Sequence, residues 1–246
     1  TLQSIAVGYV VVAILYVFTS LRMQIMIVLL LFLSYIAIFA IWGGMDFTID
    51  RNICEEIDRI VLGRYRDGVV WKGNVWTWDP TYHYTWIMSS LNFIVTVFLG
   101  CLAGYVLRGK DTEMKKFYKL IIGGVLLIVV SLAMTPVVPI IKHIWSSSMT
   151  LFAGGICFLL MGIFYYCIDI RGWKRGFEWL KFYGMNSLIA YFLGEYMNFN
   201  SITDSLFYGL KQWMGIYYPV IDALMQGVII FFIVKWMYKR KIFIKA

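Results

Sequence analysis

Charged side chains inside long apolar stretches are the first candidates for chemistry in this sequence. A charge held in hydrocarbon is costly unless it faces protein or a wet cavity. Glu195 and Asp222 meet that description. Glu195 falls about two thirds of the way through its stretch at ~1.5 Å per residue; it either lines a passage or pairs with a structural partner. Asp222 sits near the start of the last stretch, where it can cap a helix, reach water or couple an ion. Asn92 and Asn186 also lie in apolar stretches and are read first as interhelical hydrogen-bonding residues. The two histidines, His83 and His143, have the chemistry of a general base or of an ordinary interfacial side chain. Neither has a second ligand at metal spacing, so no metal is expected. Trp145-Ser146-Ser147-Ser148 reads as a helix start with hydroxyl caps. Nucleophile-elbow, phosphate-loop and dinucleotide patterns do not occur. At the C-terminus Lys239, Arg240, Lys241 and Lys245 interleave with Ile242, Phe243 and Ile244. Such a tail can fold over a cavity and meet a phosphorylated ligand, or anchor to anionic headgroups.

The elements that must position these groups are long and apolar. Of 246 residues, 61% are hydrophobic and 15% charged, which excludes an ordinary soluble domain. Seven runs long enough to cross ~30 Å of hydrocarbon can be drawn at 2–19, 24–42, 84–107, 117–134, 145–168, 182–199 and 217–235. The expected fold is therefore an all-α polytopic membrane bundle of seven transmembrane helices, one domain over 1–246, with 43–83 as an extracytoplasmic loop insertion. Alternate gaps collect 15 of the 22 Lys and Arg residues: Arg22, the 108–119 region, the 171–181 region and the C-terminal 235–245. Basic residues near span ends are retained in the cytoplasm, so those gaps and the C-terminus are assigned there. The formal charge of +8 then belongs to membrane edges and lipid headgroups, and a nucleic-acid partner is not expected.

Within the insertion, Asp50 is placed to cap a short helix with Ile53, Ile57, Ile60 and Val61 on one side and Glu55, Glu56, Asp58 and Arg59 on the other. The aromatic series Trp71, Trp76, Trp78, Tyr82, Tyr84 and Trp86 is open to two readings, an interfacial belt or a platform for an apolar sugar face. Ser201 with Asp204 resembles a capping box ahead of an interfacial helix carrying Ile202, Leu206, Leu210, Trp213 and Met214. The four cysteines imply no disulfide framework. No Asn-x-Ser/Thr sequon occurs, in keeping with a bacterial inner membrane. The sequence opens at Thr1 directly into an apolar run and is read as the C-terminal part of a longer polypeptide.

Leu2-Gln3-Ser4-Ile5-Ala6 resembles a Leu-Gln-Arg-Ile-Ala motif, and the 57–63 stretch Ile-Asp-Arg-Ile-Val-Leu-Gly resembles Tyr-Ile-Asp-Arg-Leu-Leu-Leu-Gly. Trp78-Asp79-Pro80 resembles Tyr-Asp-Pro-Glu-Gly, and Ile144-Trp145-Ser146-Ser147-Ser148 resembles Asn-Leu-Trp-Ser/Thr. Leu99-Gly100 with Ala103-Gly104, Gly184-Met185-Asn186-Ser187 and the terminal Tyr238-Lys239-Arg240-Lys241-Ile242-Phe243-Ile244-Lys245 complete the series. In order and spacing these segments resemble the C-terminal two thirds of the heparan-alpha-glucosaminide N-acetyltransferase family and its bacterial relatives. The resemblance implies transfer of acetyl from cytosolic acetyl-CoA to an amino sugar on the opposite face of the membrane, and a homodimer. It places Lys245 at the coenzyme phosphates, with Lys241 and Arg240 beside it. In the same scheme Asn186 and Glu195 shape the passage, and Asp79, Trp145 and Ser146 line or order the acceptor end. The family's histidine lies in a segment that precedes this sequence, so no catalytic base is assigned; neither His83 nor His143 matches it. The sequence departs from the family at Ser4, where Arg is usual, at Thr81-Tyr82 and at His143. The alternative reading is a transporter or flippase with no covalent step.

Overall fold

A computed structural model describes residues 2–244 apart from 50, 198, 200, 204, 206–208, 210–212 and 214, with backbone only for Leu2 and Ile216. Two compact units divide the chain, Thr1–Tyr166 and Cys167–Ala246.

The first unit is built from α1 (Leu2–Phe18), α2 (Leu21–Ile41), α3 (Ile53–Leu62), a hairpin of β1 (Val69–Lys72) and β2 (Val75–Trp78), α4 (Ile87–Arg108), α5 (Glu113–Met134) and α6 (Ser147–Tyr165). Helix α4 is central: α1, α2, α3, α5 and α6 all pack on it. Its buried side, Phe93, Ile94, Phe98 and Leu99, meets Val12 of α1, Val28 and Phe32 of α2, and Leu151 and Phe158 of α6. Helices α5 and α6 approach at glycines. A Cβ on Gly155 would stand 2.8 Å from the Gly124 carbonyl oxygen, and one on Gly124 would stand 2.9 Å from that of Gly155. Small residues let backbones meet this closely where water supplies no driving force. The opposite faces are apolar and uncovered: Leu30 is 66% exposed and Leu126 58%. Lipid is the solvent those faces require.

Among the described residues five helices are long and apolar enough to cross a membrane: α2, α4, α5, the Ser147–Ile170 run that continues α6 through a π-type turn, and α9 (Tyr218–Lys239). The chain is an all-α, multi-pass integral membrane protein. Two of the seven expected spans take another form. Helix α1 has 17 residues, ~25 Å at 1.5 Å per residue. The sixth stretch is divided into α7 (Glu178–Met185) and α8 (Ser187–Tyr196). Asn186 separates them at φ −134° and ψ 37°. Asn and Ser compete with the helix ladder for backbone partners, and the Asn186 N–H turns back to the Tyr183 carbonyl at 3.2 Å.

In the second unit α9 packs against α7 and α8. Phe182 lies 4.9 Å from Tyr238 and 6.2 Å from Phe231, and the Tyr183 hydroxyl donates to the Gly227 carbonyl at 3.2 Å. Asp222 takes hydrogen bonds from Thr203 and, at 2.8 Å, from Gln226, so it holds α9 to the segment before it. The capping-box partner Asp204 and the apolar positions Leu206, Leu210 and Met214 lie outside the described residues; Trp213 is 87% exposed.

Candidate functional site

The insertion is folded around its charges. Helix α3 is capped by Asn52, whose Oδ1 accepts from Glu55 N at 3.0 Å; the expected cap, Asp50, lies outside the described residues. The helix is turned relative to the expected amphipathic face. Glu55 and Asp58 are fully buried, whereas Ile60 is 74% exposed and Val61 65%. Each buried charge has a structural task, although Glu55 Oε2 and Arg66 Nε and Nη1 have no partner among the described residues. Glu55 Oε1 receives Arg59 and Arg66, each at 3.0 Å. The Arg66 guanidinium lies over two rings, 5.6 Å from Trp78 and 5.8 Å from Tyr82, and donates to the Tyr84 carbonyl at 3.3 Å. Asp58 accepts from Trp86 N at 2.7 Å and Ile87 N at 3.0 Å. Its carboxylate therefore satisfies the first donors of α4 from 28 residues away. Burial raises the Asp58 pKa, and hydrogen bonds from Ile87 and Trp86 oppose that rise.

The same end of this unit carries a buried hydroxyl and amide network. Asn92 Nδ2 donates to the Trp145 carbonyl at 2.8 Å. Ser146 caps α6 and fastens the preceding loop, donating to the Pro139 carbonyl at 2.8 Å and accepting from Ile141 N at 3.0 Å. Trp145 adopts φ +48°, its Nε1 donates to Thr96 Oγ1 at 3.1 Å, and its ring stands edge-on to Phe93 at 5.1 Å. Phe93 in turn lines a cavity of about 230 Å³ with Ser4, Tyr65, Asp67, Trp86 and Ser90. Trp145 thus stands one layer behind the cavity, whereas Ser146 is bonded into the loop that precedes α6. Asp79 is elsewhere, closing a turn on Thr81 through Thr81 N at 2.8 Å and Thr81 Oγ1 at 2.7 Å. Those two bonds hold its carboxyl below the usual range, the hydroxyl first. The rings of His83 and His143 approach at 6.3 Å, with Tyr84 4.8 Å from His143. Among the described residues no group of three metal-ligating side chains forms.

In the second unit, α9 ends in a Schellman turn. Ile242 N bonds to the Met237 carbonyl at 3.0 Å and Lys241 N to that of Tyr238 at 3.0 Å, with Lys241 at φ +58° where glycine is usual. The chain reverses there, and Ile244 N reaches Asn186 Oδ1 at 3.3 Å. Asn186 is fully buried, and its Nδ2 has no partner among the described residues. Arg240 and Lys241 are exposed and pair with no carboxylate among the described residues. Exposed guanidinium and ammonium groups of this kind suit a phosphate-bearing group. Lys245 lies outside the described residues. Glu195 is exposed on α8.

Sequence reasoning missed Ser4, Tyr65, Asp67, Ser90 and Phe93 as cavity residues. The Asp67-Gly68 pair before an aromatic series carried a turn signal, but nothing in the spacing brings α1 to it. No family model matches the chain, and no curated protein is significantly similar to it.

Proposed function

We propose that this chain is part of a transmembrane acetyltransferase that takes acetyl-CoA at the cytoplasmic face and acetylates an amino sugar on the other. One observation carries the reading: segments that resemble the acetyltransferase family, remote in sequence, meet in space. Ser4 and Leu62 line one cavity, and Asn186 is hydrogen-bonded to Ile244 of the tail. In this scheme Arg240, Lys241 and Lys245 neutralise coenzyme phosphates, while Asn186 braces the tail that presents them. Glu195 flanks the passage. Trp145 and Ser146 order the acceptor end and Asp79 shapes its loop. The acceptor amine attacks the thioester carbonyl, the C–S bond breaks, and the amine proton passes through a base to the departing thiolate. Neither His83 nor His143 is assigned as that base.

The charge pattern supports seven crossings in a bacterial inner membrane, with α1 as the first and the α7–α8 pair as the sixth. The α7–α8 crossing is the one the four basic gaps need in order to share the cytoplasmic face, because Arg22 follows α1 and shares a face with the 108–119 gap in either case. A homodimer follows from the resemblance alone. The test is transfer of radiolabelled acetyl from acetyl-CoA to a panel of amino sugars by the full-length polypeptide in liposomes. Transfer is expected, reduced at least tenfold by Lys245→Glu; no transfer by folded protein removes the reading. The break at Asn186 favours one other reading, because discontinuous helices mark transport sites. Substrate uptake into liposomes without acetyl-CoA would establish it.

A further inference from the structure

Helix α3 is folded inside out for a segment that meets water. It buries Glu55 and Asp58 completely, while the side chains it exposes are Glu56 in the first turn and Ile60 and Val61 in the last. Tyr65 follows within one turn and is 78% exposed. Arg64 stands beside it, its guanidinium 5.0 Å from the Tyr65 ring and donating to the Tyr65 hydroxyl at 2.8 Å. Arg64 is exposed and pairs with no carboxylate among the described residues. Large apolar side chains grouped at the end of so short a helix call for an apolar covering.

The elements beneath α3 set its height. Its first residue rests on the end of α2, where a Cβ on Gly43 would stand 3.0 Å from Ile53 Cγ2, and Asp58 holds the first N–H groups of α4. Leu62 and Tyr65 share a cavity of only about 230 Å³ with Val7 of α1 and Phe93 of α4. Phe93 lies two turns into α4, ~9 Å from the helix start at 1.5 Å per residue. The last turn of α3 is therefore level with the first turns of a membrane-spanning helix and not above them. On α1, Ile5 and Val10 to either side of Val7 are exposed as well, so the apolar patch of α3 continues an uncovered apolar flank.

We propose that the last turn of α3 docks into the phospholipid leaflet at this end of the spans, with Ile60 and Val61 at the boundary of headgroups and acyl chains and Arg64 on a lipid phosphate. Interfacial helices bury an apolar face about 5–10 Å into that boundary, which agrees with the height set by Phe93. Tyr65 suits the same depth because its ring is apolar and its hydroxyl polar. The long stem of Arg64 lies along apolar surface while its charge reaches phosphate. Glu56, one turn before Ile60, marks the polar limit of the patch. Continuity with the flank of α1 selects lipid as the occupant, since lipid is the solvent the spans already require. The docking goes beyond the proposed transfer reaction and does not depend on it.

The experiment is fluorescence quenching in the full-length polypeptide in phosphatidylglycerol nanodiscs. Val61→Cys and Asn74→Cys, each in a cysteine-free background, carry an NBD label; Asn74, at the exposed polar tip of the hairpin, is the aqueous reference. A lipid nitroxide high on the acyl chain is expected to quench position 61 at least threefold more than position 74, and aqueous iodide to show the reverse order. Adding Arg64→Glu is expected to reduce lipid quenching at position 61 at least twofold, because a carboxylate repels the phosphate. A second arm keeps the native cysteines: benzoylphenylalanine in place of Ile60, irradiated in the same nanodiscs, is expected to give the mass of the protein plus one phospholipid. Equal iodide quenching at positions 61 and 74 overturns the proposal, because the patch then faces water. Protection of position 61 from both quenchers, with a crosslink from position 60 to polypeptide, overturns it in favour of a protein covering. Stronger quenching by a nitroxide at the acyl chain end overturns the interfacial depth.

Discussion

At the scale of single residues, burial separates structural charges from available ones. Glu55 and Arg66 are enclosed together, and an ion left behind in such a place is uncompensated. Glu55→Leu is expected to cost about 3–5 kcal/mol, read by detergent unfolding. Replacing both residues, with Arg66→Met added, is expected to cost less than either change alone. Cys54 is enclosed nearby, and burial pushes its thiol up to about 12, so it stays unreactive to maleimide at pH 8 while the protein is folded. Asp79 is a turn residue with a depressed pKa. Its bracing of Thr81 is fully present above the ordinary carboxylate value of ~3.9 and is lost as pH falls through the lower folded value. Thr81→Val removes the larger cause, and the Asp79 carboxyl signal in NMR should then titrate nearer the ordinary value. The types of these residues were legible from the sequence, but their tasks were not. Asp58 looked like the solvated side of a surface helix, and its actual partners, Trp86 N and Ile87 N, lie beyond a hairpin that the aromatic series did not announce.

At the scale of elements, close approach and chain reversal are the sensitive features. The α5–α6 contact leaves no room for a methyl group: a Cβ on Gly155 would stand 2.6 Å from Ile128 Cγ1 as well as 2.8 Å from backbone. Gly155→Ala is therefore expected to destabilise by about 1–3 kcal/mol, seen as a lower unfolding midpoint. The α9 terminus carries a different cost, with Lys241 in the left-handed region. Lys241→Gly is expected to stabilise the unit by about 1 kcal/mol in thermal unfolding, while raising KM for acetyl-CoA if this side chain meets phosphate. The long helices were legible from apolar length because a buried backbone in lipid has few alternatives. The division at Asn186 was not, because apolar length carries no information about where a ladder of hydrogen bonds is interrupted.

At the scale of the whole molecule, the basic gaps and the division of the sixth stretch make a joint prediction about topology. In a cysteine-free background, Asn74→Cys and Ser201→Cys should react with impermeant maleimide from outside intact cells. Lys110→Cys and Arg171→Cys should react only after permeabilisation. Ser201→Cys and Arg171→Cys labelling from the same side would show that α7 and α8 do not cross, and the cytoplasmic assignment of the tail would then need another basis.

Solvent and charge explain what the sequence determined by itself. Stretches this apolar have to be helical in a bilayer, and the alternation of Lys and Arg fixes an expected orientation, since both follow from transfer energies that act on each segment alone. Tertiary structure decided everything that depends on two segments meeting. It turned α3 so that Glu55 and Asp58 face inward and brought Ser4 of α1 to Asp67 and Trp86. It also returned the basic tail to Asn186. Those outcomes rest on pairing buried polar groups across long sequence separations, where one satisfied partner outweighs the amphipathic pattern of a short helix.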